Sequence, residues 1–211
     1  EEILVTAGAQ EAIMLTMLAF CAPGDEVLIT SPRFTTYDTA VRLCGGTPIP
    51  VPTFERDDFA VDVAEIEKRI TPRTRMFVLV SPNNPTGAYL PRAEFERLLA
   101  ELPAQVILVV DEAYHEFAID AGVEDYPNSL DHRSDRALLI TMRTFSKIYG
   151  LAGLRVGYGI SSPAIIDYMN RIRRPFNVNS VAQAAAVAAL DGDVLVLGAG
   201  GKMGPNLVEL M

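Results

Sequence analysis

The stretch Val106-Ile107-Leu108-Val109-Val110-Asp111-Glu112-Ala113-Tyr114 runs five apolar residues straight into a carboxylate. The run is apolar at odd and even positions alike, so it predicts a strand covered on both faces. Shorter runs of the same kind fall at Ile3–Thr6, Val27–Thr30, Thr47–Val51, Met76–Ser81, Leu138–Met142 and Arg155–Ile160. Helical periodicity separates them. Asp62 and Glu65 make a capping-box start, with Val63, Ile66 and Ile70 on one face. Pro91 opens a helix striped by Phe95, Leu98, Leu99 and Leu102, and Ser162-Pro163 opens another with Ile165, Met169 and Ile172 inward. An Ala-rich helix follows over Val181–Leu190. Strand and helix in alternation predict an α/β fold, a three-layer sandwich around a mostly parallel sheet.

Composition narrows the function. The 211 residues are long enough for one α/β domain with a buried core. A formal charge of −9 excludes a nucleic-acid surface or an anionic membrane as partner, though not a small anion held by a local arginine. No apolar run reaches the ~18 residues of a membrane span. The opening Glu1-Glu2-Ile3 has no signal-peptide character and enters a strand at once, which reads as a cytoplasmic chain and as a fragment. Cys21 and Cys44 lack metal spacing and read as reduced, buried thiols; no metal site is expected.

In an open α/β sheet, ligands gather beyond the carboxyl ends of the strands. Asn84 follows the strand ending at Ser81, Asp111 follows Val110, and Lys147 follows Met142, so three loops converge on one edge. Lys147, in Thr144-Phe145-Ser146-Lys147, is flanked by hydroxyls and followed by Gly150, Gly153 and Gly157. The other lysines, Lys68 and Lys202, sit on a polar helix face and near the tail. Asp111 is partly desolvated and needs a cationic partner. Tyr114 and Asn84 can donate to an oxyanion from two sides, although Asn84 before Pro85 is equally turn chemistry. Gly8-Ala9-Gln10 opens a helix whose free N–H groups can face an anion, and Thr144, Ser146 and the fork of Arg155 can join it. Phe34 can stack on a ring or serve as an ordinary core aromatic. An amine, a buried acid and an anion cradle are together what pyridoxal phosphate requires.

The strings Pro-Asn-Asn-Pro-Thr-Gly (82–87), Asp-Glu-Ala-Tyr (111–114), Thr-Phe-Ser-Lys (144–147) and Gly-Leu-Arg-Val-Gly-Tyr (153–158) resemble the fold-type I, class I/II aminotransferases. The resemblance covers about residues 3–190. It implies transamination of amino-acid and 2-oxo-acid substrates, with Lys147 carrying the cofactor and shuttling a proton. It further implies Asp111 at the ring nitrogen, Asn84 and Tyr114 at the phenolate oxygen, and Phe34 on the ring face. Ala9, Gln10, Thr144, Ser146 and Arg155 go to the phosphate. Asp-Glu-Ala-Tyr-His-Glu-Phe-Ala (111–118) and Pro-Phe-Asn-Val-Asn-Ser-Val-Ala-Gln-Ala-Ala-Ala (175–186) are closest to the histidinol-phosphate branch, which implies histidinol phosphate and 2-oxoglutarate as substrates. Aromatic aminotransferases and amino-acid-phosphate decarboxylases share much of this wording.

The resemblance also implies a homodimer in which Asn177–Ser180 approach the neighbouring cofactor phosphate. Family members carry an N-terminal segment and a C-terminal small domain that supply the arginine for the substrate carboxylate, so a cofactor-binding piece without turnover is a second expectation. Arg171, Arg173 and Arg174 read as a solvated helix end. Residues 1–192 are expected to form the cofactor-binding large domain. Residues 193–211 depart from the pattern: Gly198, Gly201 and Gly204 resemble the strand-turn-helix opening of an extended short-chain dehydrogenase or epimerase. Without a following ribose-binding acid, this chain is expected to bind no dinucleotide.

Overall fold

The computed structural model describes residues 1–190. The proposed 193–211 piece, with its Gly198–Gly204 turn, lies outside the described residues.

The expected strands form, most of them shifted by a residue or two at their ends: β1 (Ile3–Thr6), β2 (Glu26–Ser31), β3 (Thr47–Pro52), β4 (Thr74–Val80), β5 (Ile107–Asp111), β6 (Leu139–Thr144) and β7 (Gly157–Ile160). They make one sheet in the order β1-β7-β6-β5-β4-β2-β3. Strands β3, β2, β4, β5 and β6 are parallel, while β7 runs antiparallel to both β6 and β1. This is the expected mostly parallel α/β sandwich.

Helices cover both faces. Helix α1 (Ala9–Phe20), α2 (Thr36–Leu43) and α6 (Pro163–Ile172) enclose one core with Val27, Ile29, Met76, Val78, Ile107 and Val109. Helix α3 (Val63–Glu67) and α4 (Arg92–Glu101) enclose the other with Leu28, Phe77, Leu79, Leu108 and Val110. The alternation of one strand between two apolar layers explains why these runs show no polar face. Helix α7 (Ser180–Ala188) closes a smaller cluster with Phe145, Val156 and Val178. Helix α5 (His115–Asp120) is the short turn that follows Tyr114. Among the described residues no helix is long and apolar enough to cross a membrane.

Three local expectations change. Asp62 caps α3 by accepting from the Ala64 amide, but Glu65 turns outward to Lys68 and Arg69 instead of completing a capping box. Ile172 is 43% exposed, and Ile166 takes the inward place beside Ile165 and Met169. The strand expected from Arg155 begins two residues later, because Arg155 has a left-handed backbone (φ 59°) that interrupts extension. Cys21 and Cys44 are free thiols; burial pushes Cys21 up to about 11, while Cys44 is only half-buried.

Candidate active site

The parallel strands β4, β5 and β6 end side by side, with Val80 opposite Asp111 and Asp111 opposite Met142. Beyond those ends lies a cleft of about 320 Å³, within the ~300–1,000 Å³ usual for small-molecule sites. Ala9, Gln10, Phe34, Asn84, Asp111, Tyr114, Thr144, Ser146, Lys147 and Arg155 all line it, joined by Ile13, Val80, Ala113 and Ala152. The structure therefore brings every candidate residue to one place.

Asp111 forms the floor. Side-chain alternation along β5 puts it on the face of Ile107 and Val109, towards α2. One oxygen accepts from the Tyr37 hydroxyl at 2.7 Å and the other from the Ala113 amide at 3.1 Å. Burial raises its pKa above the ordinary carboxylate value, while those two hydrogen bonds pull it down. Tyr37 is itself fully buried and its hydroxyl is pushed well up, first by burial and then by the Asp111 charge. Sequence reasoning missed Tyr37, which lies 74 residues from its partner.

Across the cleft mouth, the Lys147 amine stands 4.8 Å from the centre of the Tyr114 ring. The Asn84 amide donates to the Tyr114 hydroxyl at 3.4 Å, so these two side chains share one corner. Phe34 is half-buried and packs against the core on the α1 face.

The opposite end is built for an anion. Gly8 has φ 76°, and a Cβ there would come within 2.4 Å of the Arg155 guanidinium. A Cβ on Gly157 would lie 2.5 Å from the Ala9 nitrogen, so both glycines permit the strand end, the turn and the arginine to crowd together. Arg155 is exposed, not buried at a strand start as the sequence implied. It donates to the Ala152 carbonyl at 2.9 Å and to the Ser146 hydroxyl at 3.4 Å, and pairs with no carboxylate among the described residues. The Ser146 hydroxyl also accepts from Thr144 at 3.0 Å.

Arg143, not Arg155, makes the buried ion pair. Its guanidinium donates twice to Glu112, at 2.9 and 2.7 Å, and Glu112 also accepts from the Ser129 amide at 3.0 Å. Asn177 and Asn179, expected near a neighbouring phosphate, are engaged within the chain. Asn177 donates to the Val5 carbonyl and Asn179 caps α7 through the Ala182 amide. Arg173 turns back to Asn170 and Asn177, while Arg171 pairs with Asp167.

The donor set fits pyridoxal phosphate on the structure's own terms. Among the described residues, Asp111 is a buried carboxylate held only by neutral donors, Lys147 is an accessible amine, and a glycine-edged cradle lies under an arginine without an acidic partner.

The sequence as a whole agrees. The family model for aminotransferase class I and II matches residues 1–204. The chain belongs to that family. Class I and II aminotransferases are pyridoxal-phosphate-dependent enzymes. The match includes Gly198, Gly201 and Gly204, the glycines whose spacing resembles a dinucleotide turn. Histidinol-phosphate aminotransferase of Moorella thermoacetica is 45% identical over 197 residues, covering 93% of this chain and 50% of the relative. Aspartate aminotransferase of Thermus thermophilus superposes with a TM-score of 0.81 at 30% identity, over 90% of this chain and 49% of the other. The aromatic aminotransferase of Pyrococcus horikoshii gives 0.73 at 36%, over 80% and 44%. The chain spans about half the length of the relatives it matches.

Proposed function

We propose that this chain is the cofactor-binding part of an aminotransferase whose whole protein exchanges an amino group between histidinol phosphate and 2-oxoglutarate. The supporting observation is the cleft itself, where amine, buried acid and anion cradle meet at the ends of β4, β5 and β6. The substrate assignment leans on the histidinol-phosphate relatives. The same reading makes the whole protein a cytoplasmic homodimer and residues 1–192 its large domain.

Pyridoxal phosphate, when bound, supplies an electron sink beside the substrate α-carbon. Lys147 would hold it through its amine and would move a proton at that carbon. The Asp111 carboxylate would accept from the protonated ring nitrogen, a cation that offsets the cost of its burial. Asn84 and Tyr114 would donate to the phenolate oxygen, and Phe34 would cover the ring. The Ala9 and Gln10 amides, Thr144, Ser146 and Arg155 would hold the phosphate.

Mixing the chain with pyridoxal phosphate should give a visible absorption band from the lysine linkage, and Lys147→Ala should lack it. An unchanged band in the variant removes Lys147 from the role. The half-length match favours a second reading, cofactor binding without turnover. Steady glutamate formation by these 211 residues from histidinol phosphate and 2-oxoglutarate would refute that second reading.

A further inference from the structure

Glu11 stands in the first turn of α1, one residue past the anion cradle, where its negative charge should repel a phosphate. Its contacts are nevertheless specific. One carboxylate oxygen accepts from the Ala7 amide at 2.6 Å and from the Asn177 side-chain amide at 2.5 Å. Asn177 also donates to the Val5 carbonyl at 3.2 Å, and its own oxygen accepts from Arg173 at 3.0 Å. Only this orientation of the Asn177 amide serves a carboxylate and a guanidinium together.

The geometry points to Glu11 and Asn177 as positioning residues that clamp the Thr6–Gln10 turn so its amides and Arg155 converge on the cofactor phosphate. The clamp ties the end of β1, the start of α1 and the end of α6 through side chains 166 residues apart. It also occupies the Ala7 amide, which leaves the anion to the amides further along the turn. Thr6 braces the same turn by donating to the Gly8 carbonyl at 2.9 Å. The inference rests on the proposed phosphate site, and it opposes two effects of contrary sign. Loss of the Glu11 charge favours an anion, whereas loss of the clamp disfavours it.

The test compares the affinity of the chain for pyridoxal 5′-phosphate with its affinity for pyridoxal, by absorbance titration. That ratio isolates the phosphate, and a general loss of stability does not change it. Glu11→Ala and Asn177→Ala should each lower the ratio about tenfold, the low end for loss of a group that orients an ion's direct partners. The double variant should be no worse than the worse single one, since both cut one connection. Glu11→Gln should keep the ratio, because its amide oxygen still accepts from Ala7 and Asn177. An unchanged or increased ratio in Glu11→Ala, or equal losses for both ligands, overturns the clamp. Should Glu11→Ala not fold, Asn177→Ala decides by the same criterion. A native chain that binds both ligands equally overturns the phosphate site as well.

Discussion

Asp111 and Glu112 are adjacent, chemically alike and both buried, at 5% and 1% exposure, yet the protein treats them in opposite ways. Glu112 is saturated by a cation: Arg143 donates twice and the Ser129 amide once. Among the described residues Asp111 receives only a phenol and one backbone amide, with Lys147 near enough to lower its pKa but making no hydrogen bond. A buried carboxylate with its own arginine is architecture. One given neutral donors at the floor of a cleft retains charge that a cationic ligand can meet.

The sharpest way to break this contrast is to remove the cation. Arg143→Ala strands Glu112 in the interior without a counter-charge, and such losses cost about 3–5 kcal/mol. Urea unfolding of the cofactor-free chain should show a drop of that order. A loss below about 1 kcal/mol would mean that Glu112 is solvated in solution and that the two carboxylates are not different in kind.

Tyr37→Phe tests the other member. Asp111 loses its shortest hydrogen bond, and a hydrogen bond to a charged group contributes about 1.5–3 kcal/mol. Stability near neutral pH should fall by that order, with a smaller loss in acid, where Asp111 is protonated. An equal loss at both pH values would assign the effect to packing around the ring.

Arg155 follows at a lower level. A buried guanidinium at the site would contribute about 2–3 kcal/mol to phosphate binding, but the exposed position found here lowers the expectation. Arg155→Ala should weaken pyridoxal phosphate binding by about 1 kcal/mol, roughly fivefold, with Arg155→Lys between it and the native chain. Identical thermal shifts on adding cofactor to native and Arg155→Ala chains would remove Arg155 from the site.

What could be read in advance follows the range of each signal. Apolar runs such as Val106–Val110 declare a doubly covered strand locally, and the residue after each run falls at the sheet's ligand-binding edge. The cleft members Asn84, Asp111 and Lys147 were legible for that reason. Arg155 was legible as a cleft residue but not as a conformation: nothing in its neighbours announces a left-handed backbone, and the glycine its guanidinium packs against, Gly8, is 147 residues away. The pairs Tyr37–Asp111 and Glu11–Asn177 leave no local trace, since neither partner's neighbours signal the other. Helix α2 was missed through its polar composition: Thr36-Tyr-Asp-Thr-Ala-Val-Arg-Leu43 buries only Tyr37, Ala40 and Val41. Its role in holding Tyr37 under Asp111 is tertiary.

The smallest expected effect is the pH dependence that separates the two carboxylates. Burial raises Asp111 above its unfolded value, so between those two values the folded chain binds more protons than the unfolded one. Stability then falls as pH rises through that window, which starts at the ordinary aspartate pKa and extends upward. Glu26 acts in the reverse sense: the Thr71 hydroxyl and Arg73 lower its pKa, so its contribution is present above the ordinary glutamate value and is lost in acid. The raw pH profile mixes the two, but their difference does not. Asp111→Asn removes only the first slope while the amide oxygen still accepts from Tyr37. The variant should match the native chain in acid and exceed it towards neutral pH, by about 2–4 °C in melting temperature for each kcal/mol. Curves that run parallel from acid to neutral pH would show that Asp111 carries no unneutralised charge, and the contrast with Glu112 would fail.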